Sequence, residues 1–285
     1  MNAKQKQLVV KDHTVSGEEF ELIYNSSYQL LETHPQPDLD KLESYYKSED
    51  YISHTDAKRN ILEIGYHFVR GIALKRKLNL INSFKLSNKR LLDVGCGTGD
   101  FLHMALNNNW EVTGIEPNTS ARAIANSKVN NAVYAETYLH KFENNSFDVI
   151  TLWHVLEHLP NLETHINVLN KLLKPKGRLI IAVPNYKSFD AQYYKSYWAA
   201  YDVPRHLWHF SKESIQVLFN RVHMTIEYIL PMKFDAFYVS ILSEKYKTGK
   251  INYLRAFYIG LKSNLKAKRS GQFSSLIYVL KSTKT

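Results

Sequence analysis

The sequence predicts an α/β protein organised around an open, doubly wound parallel sheet. Three observations carry that prediction. From Arg90 onward, short apolar runs alternate with amphipathic stretches in the rhythm strand, helix, strand, helix; right-handed crossovers turn that rhythm into a sheet with helices on both faces. The apolar runs lack polar alternation, as strands buried on both faces do. Between two of these runs, "LLDVGCGTGDFL" (residues 91–102) places three glycines at alternate positions, in a chain with only 11 glycines among 285 residues.

Each element follows from local chemistry. Residues 1 to about 40 form a strand-rich lead-in, with a Ser-Gly turn signal in "HTVSGEEFELIY". "THPQPD" interrupts it, because prolines oppose both helix and central strand. "DLDKLESYYKS" reads as a helix opening on an Asp cap, and a long basic amphipathic helix is expected from about Thr55 to Phe84. Then come strand "RLLDVG", helix "GDFLHMALNNN", strand "EVTGIEP", helix "TSARAIANSKV", strand "AVYAE", strand "FDVITLWHV", helix "NLETHINVLNKLL" and strand "RLIIAVPN". The aromatic stretch 186–210 has no clean period and reads as an ordered insertion. Helix "SKESIQVLFNRV", strand "TIEYILP", one or two basic helices over 233–270 and a terminal strand "FSSLIYVLK" complete the chain.

Composition narrows the class. With 44% hydrophobic and 13% aromatic residues the chain can bury a large core. One cysteine excludes a disulfide framework and a thiolate-rich metal site. No apolar run approaches the roughly 18 residues that span a bilayer, and the lysine-flanked "LVV" near the start is too short for a secretory segment. The expected compartment is the cytoplasm. The net charge of +10 is concentrated late: from Lys233 to Thr285, eleven Lys/Arg stand against two Asp/Glu, a local +9. Such a region is either a solvated helix face or a contact for nucleic acid, an anionic membrane surface or an acidic substrate.

The glycine turn carries the chemistry. Ligands of open parallel sheets bind beyond the carboxyl ends of the strands, where the next helix offers unpaired N–H groups. Gly95, Gly97 and Gly99 permit positive φ and close approach to bare backbone. The next strand ends in Glu116, whose carboxylate can take both hydroxyls of a ribose. A dinucleotide fingerprint would need glycine at position 100, where Asp100 stands. The spacing G-x-G-x-G after an acidic Asp93 fits instead a ligand with an ammonium group and no pyrophosphate.

"LLDVGCGTGDFL", "GIEPN", "FDVITLWHVLEHLPN" and "LLKPKGRLIIAVPN", in that order over residues 88–231, resemble the successive motifs of class I S-adenosylmethionine-dependent methyltransferases. The resemblance implies a Rossmann-like sheet of seven strands, mostly parallel with an antiparallel last strand, and S-adenosyl-L-methionine as cofactor. It implies that Asp93, Gly95 and Gly97 line the methionine side, that Glu116 holds the ribose and that Glu136 and Thr137 lie near the adenine. Cys96, Gly99, Pro117 and Trp153 complete the expected cofactor-binding set. "WAAYDVPRHLWHFS" resembles a branch with a Pro-Arg-His-x-x-His-Phe insertion, in which a small zinc ribbon often precedes the catalytic domain. Here Asn25 and Tyr28 occupy the Cys-x-x-Cys positions, so no metal is expected and residues 1–54 would be a degenerate lead-in or lid before a methyltransferase domain over 55–285.

Methyl transfer needs the acceptor held in line and shielded from water, and a hydroxyl acceptor also needs a base. The candidate catalytic histidines are His154, at the end of the fourth apolar strand, as a direct substrate or cofactor contact, and His206 and His209 in the insertion, as base or substrate ligand; packing or hydrogen-bonded structure is the competing role for each. Glu157 and His158 follow His154, either to cap the turn or, as in some relatives, to help hold a metal. Tyr45, Tyr46 and Tyr51 are candidate lid residues, and Trp153, Trp198 and Trp208 suggest a partly aromatic acceptor pocket. Cys96 has no activating base beside it and reads as packing. The expected reaction is O-methylation of a small molecule, sugar or lipid-linked precursor, with possible peripheral contact to anionic surfaces through residues 233–270; nucleic acid is not expected. The rivals are a methyltransferase acting on RNA or another polyanion, and a non-catalytic cofactor-binding protein. The sequence leaves the oligomeric state open.

Overall fold

Three strands lead the chain: β1 (Gln5–Lys11), β2 (Glu19–Asn25) and β3 (Leu30–His34). The computed structural model describes residues 5–38, 41, 43–46, 61–86 and 88–283. Tyr51, the start of the helix expected from Thr55 and the expected boundary at residue 54 lie outside them. In the described part of "DLDKLESYYKS", Lys41 is helical and Glu43–Tyr46 forms a 3-10 turn.

After helix α1 (Ile61–Ser83) the expected rhythm appears. Strand β4 (Arg90–Val94) leads to helix α2 (Asp100–Leu106), and β5 (Glu111–Ile115) to α3 (Thr119–Lys128). Strands β6 (Val133–Tyr134) and β7 (Phe147–Trp153) follow, then α4 (Leu162–Leu172) and β8 (Leu173–Pro184). The insertion holds α5 (Phe189–Tyr194) and β9 (Trp208–His209). Helix α6 (Lys212–Asn220), β10 (Met224–Pro231), α7 (Asp235–Thr248), α8 (Tyr253–Ser270) and β11 (Ser275–Ser282) end the described chain. Side-chain caps set several boundaries: Asn118 accepts from the Ala121 N–H at 2.9 Å, and Ser211 forms a reciprocal capping box with Ser214.

The main sheet has seven strands in the order β10-β11-β8-β7-β4-β5-β6. Only β11 runs against its neighbours, antiparallel to both β8 and β10. The strand order reverses direction between β4 and β7, which opens a crevice at their carboxyl ends. Leu179, Ile180, Ile181, Ala182 and Val183 of β8 are all buried, which is why that strand reads as an unbroken apolar run. Each of the leucine, isoleucine and valine side chains among them contributes about 1.5–3 kcal/mol of burial.

A second, antiparallel sheet has the order β1-β2-β3-β9, so the lead-in and the insertion share one set of strands. Leu31 pairs with His209 and Glu32 with Trp208. Asn25 closes the β2–β3 turn, its side-chain oxygen accepting the N–H groups of Ser27 at 2.9 Å and Tyr28 at 3.2 Å. The guanidinium of Arg205 fastens the two segments, reaching Asp202 at 2.7 Å, Asp12 at 3.1 Å and the Tyr45 carbonyl at 3.1 Å. The buried Asp190 carboxylate is a further joint. It accepts from Ser263 and Ser274 at 2.6 Å each and from the Trp198 indole at 2.8 Å, tying α5 and the insertion to α8 and the approach to β11.

Candidate cofactor site and the histidine–carboxylate cluster

The turn after β4 is built for close approach. Gly95 has φ +71° and Gly97 φ +55°, conformations that L side chains avoid. The N–H groups of Gly95 and Cys96 both donate to the Ile115 carbonyl, at 2.7 and 3.1 Å, which binds the turn to the end of β5. A Cβ on Gly95 would come within 2.4 Å of Val155 Cγ2, whereas a Cβ on Gly97 would meet nothing within 4 Å. Gly95 is therefore a packing requirement, and Gly97 presents bare backbone to open space.

Glu116 stands one strand over. Its carboxylate accepts from the N–H of Gly97 at 2.8 Å and of Asn118 at 2.9 Å. Each oxygen keeps a lone pair for hydroxyl donors. Burial raises the pKa of Glu116, and the two backbone donors oppose that rise. Arg122 fixes the strand exit by donating to the carbonyls of Glu116 at 2.7 Å and Pro117 at 2.9 Å; the Pro117 ring is exposed. Cys96 points into packing around Gly114, and burial pushes its thiol pKa up. Gly99 caps α2.

Asp93 is buried at the base of this turn and accepts the Thr151 hydroxyl at 2.6 Å. Burial pushes its pKa up to about 7, against the pull of that hydrogen bond and of Lys77. The Lys77 ammonium lies 4.4 Å from the centre of the Trp153 ring, and its own pKa is drawn down to about 8 by burial. Trp153 stands edge-on to Phe101, and its indole N–H is buried with no hydrogen-bond partner among the described residues. A carboxylate and an aromatic face together stabilise a cation, the charge type of an ammonium or sulfonium ligand.

His154 follows Trp153 with φ +57°, an outlier held where β7 delivers its end to the crevice. Its ring sits between Glu157, 3.3 Å from Nδ1, and Asp235, 3.2 Å from Nε2. Burial opposes its charge, but the two carboxylates prevail and push its pKa up to about 10. His154 is thus an imidazolium at neutral pH and a proton donor. Glu157 is 1% exposed; burial works to raise its pKa, but the His154 imidazolium beside it holds it below the usual carboxylate range.

His158 and His206 stand edge-to-face behind Glu157, their centroids 4.5 Å apart. Nδ1 of His206 lies 2.9 Å from the Ala200 carbonyl, and Nδ1 of His158 lies 3.0 Å from both the Arg205 carbonyl and the Tyr46 hydroxyl. Burial brings the pKa of His158 down to about 4. Glu157, His158 and His206 each offer one ligand atom, all within 4.8 Å of one another, and could hold a metal ion. His209 is buried and its Nε2 lies 3.0 Å from the Thr33 hydroxyl. That hydroxyl already donates to the His206 carbonyl at 2.6 Å, so His209 is the donor in the second bond.

The remaining expected residues are spread more widely. Glu136 opens the 3-10 turn Glu136–Lys141 after β6 and faces His165 Nε2 at 3.5 Å; its neighbour Thr137 is exposed. Trp198 is buried among insertion residues, and Trp208 donates to the Leu159 carbonyl at 2.8 Å. An open groove of about 480 Å³ between the small sheet and the insertion is lined instead by Tyr24, Tyr186 and Tyr201. Lys77 and Asp235 were not among the expected site residues. Both come from helices remote in sequence and neither sits in a motif; only the charge of Lys77 among Ala73, Leu74, Leu80 and Ile81 of α1 could have flagged it.

Comparison with known proteins gives a consistent set of likenesses. Residues 67–227 match the family model described as a methyltransferase domain. Demethylmenaquinone methyltransferase of Staphylococcus aureus strain MRSA252 is 27% identical over 154 residues, 49% of this chain and 62% of that protein. The homologous protein of strain JH9 is 30% identical over 120 residues, 37% of this chain and 50% of that one. The matches thus span only half to three fifths of these relatives' length. Among solved structures, a possible histamine N-methyltransferase from Thermotoga maritima superimposes with a TM-score of 0.55 at 16% identity, covering 85% of this chain and 100% of that one. A SAM-dependent methyltransferase from Archaeoglobus fulgidus gives 0.52 at 20% identity, covering 74% and 94%.

Proposed function

The chain belongs to the family of methyltransferase domains, and from that premise we propose that it moves the methyl group of S-adenosylmethionine to an oxygen of a small-molecule, sugar or lipid-linked acceptor. The observation that carries the reading is the bare, positive-φ backbone at Gly97, bonded to a buried Glu116 whose free lone pairs face the same crevice. The donor set fits the cofactor: Glu116 for the ribose, the turn backbone and Asp93 for the amino-acid end, Glu136 and Thr137 toward the base. Bound there, the cofactor supplies an electrophilic sulfonium methyl.

The protein's own contribution is positioning and proton control. Trp153 and Asp93 favour positive charge at the centre of the crevice. His154, held protonated by Glu157 and Asp235, uses both ring N–H groups to keep those two carboxylates in place at the end of β7. The base is His206: its bond to the Ala200 carbonyl fixes the Nδ1–H tautomer and leaves Nε2 a lone pair. His209 positions β9 and, through Thr33, the His206 backbone. The fused small sheet is the lid of the acceptor space, and the Pro-Arg-His-x-x-His-Phe stretch supports reading the chain as a member of the branch with a degenerate zinc-ribbon lead-in. A lipid-soluble acceptor is favoured by the relatives named for demethylmenaquinone.

The test is transfer of labelled methyl from S-adenosylmethionine into separate lipid and water-soluble extracts, with wild-type protein and His206→Asn. Label should enter one product, released by a reagent that cleaves methyl ethers, and His206→Asn should bind cofactor normally while turning over at least tenfold more slowly, the low end for a lost general base. Tight cofactor binding with no label in any fraction would defeat the reading.

A further inference from the structure

Helix α8 carries two apolar stripes, and the larger one faces solvent. Its buried stripe is Ala256, Ile259, Gly260, Ser263 and Ala267, all small but Ile259, which lets it lie close on α7; a Cβ on Gly260 would stand 3.0 Å from the Ala236 carbonyl oxygen. On the other side Leu254, Phe257, Tyr258, Leu261 and Leu265 follow the spacing i, i+3, i+4, i+7, i+11 and are all exposed, Leu254 to 86% and Phe257 to 61%. This is the spacing of one helix face, and it is unlike an ordinary surface helix, whose large apolar residues point inward. Between Lys245 and Ser270 the sequence has eight Lys and Arg and no Asp or Glu.

We propose that α8 is a docking face for an anionic lipid bilayer, its aromatic and leucine stripe entering the headgroup layer and its flanking Lys266, Lys268 and Arg269 meeting lipid phosphates. The observations separate this occupant from two others. Leucines at this density contribute nothing to a phosphate backbone, which disfavours nucleic acid. A second copy of the chain would bring two faces of the same positive charge together. An amphipathic helix with basic flanks beside large apolar residues satisfies both requirements at an anionic interface. No helix among the described residues is long and apolar enough to cross a membrane, so the contact is peripheral.

The face is also coupled to the crevice. The Asn264 side chain donates to the Lys233 carbonyl at 2.9 Å, and two residues later Asp235 opens α7 and bonds His154. A bilayer under α8 therefore lies beside the helix whose first residue reaches His154. The docking itself does not rest on methyl transfer.

The test is co-sedimentation with vesicles of phosphatidylcholine alone and with about one third phosphatidylglycerol, using wild type, Leu254→Ser/Phe257→Ser/Leu261→Ser, and Lys266→Glu/Lys268→Glu/Arg269→Glu. All six substituted side chains are exposed, and circular dichroism and the unfolding midpoint check that both variants fold. Wild type should bind the anionic vesicles, and each variant should bind about tenfold or more weakly. No wild-type binding to anionic vesicles, equal binding to neutral and anionic vesicles, or a dimer without lipid that the serine variant dissolves would each overturn the proposal. Binding to RNA that resists about 200 mM salt and survives the serine substitutions would overturn it in favour of a polyanion.

Discussion

Replacing Gly97 and Gly95 one at a time by alanine separates the ligand-facing part of the turn from its packed part. Both residues have positive φ, +55° and +71°, so each alanine carries about 1–2 kcal/mol of backbone strain. At Gly97 nothing else is added to the empty protein, because no atom lies within 4 Å of the new methyl. At Gly95 the methyl would stand 2.4 Å from Val155 Cγ2, and relieving that overlap costs about 1–3 kcal/mol more. Urea unfolding should therefore show Gly95→Ala destabilised by about 2–5 kcal/mol and Gly97→Ala by about 1–2 kcal/mol. Affinity for S-adenosylhomocysteine, read by calorimetry, should nevertheless fall about tenfold or more in Gly97→Ala, or about 1.4 kcal/mol, because its methyl occupies the space a ligand must enter. Unchanged affinity in Gly97→Ala would refute the placement of the ligand.

Two further predictions concern charge. Asp93 has a pKa of about 7 in the empty site, and a cationic ligand favours its ionised form, lowering that pKa on binding. Affinity for S-adenosylmethionine should rise with pH between about 6 and 8 and then level, with proton release seen as a buffer-dependent binding enthalpy; Asp93→Asn should abolish both effects, and a flat wild-type profile would count against the assignment. Arg205→Ala removes the cation that faces the buried carboxylate of Asp12, and losing one partner of a buried pair costs about 3–5 kcal/mol. Chemical denaturation should register that loss, and one below about 1 kcal/mol would show that Arg205 does not fasten the small sheet.

The central sheet was legible because its strands obey local rules. Leu179 to Val183 read as a buried run because both faces of β8 are covered, and Gly95, Gly97 and Glu116 follow the fixed spacing of a strand–turn–helix unit. What escaped was non-local. The pairing of Leu31 with His209 joins a lead-in strand to a two-residue strand, too short to have a period. Asp12 and Arg205 meet only after both segments fold, and Asp235 reaches His154 from a helix that no motif links to it. The two stripes of α8 were present in the sequence, but periodicity alone does not say which faces inward; the need for small residues against α7 decides it.

The grip of Glu116 on a ribose is the claim on which the catalytic account stands, and calorimetry with S-adenosylhomocysteine and its 2′-deoxyribose analogue tests it most directly. Wild-type protein should favour the hydroxylated ligand by about 1.5–3 kcal/mol, the scale of a hydrogen bond to a charged group, and Glu116→Ala should bind both ligands alike. A Glu116→Ala protein that keeps the full preference, or a wild type that has none, would contradict the account.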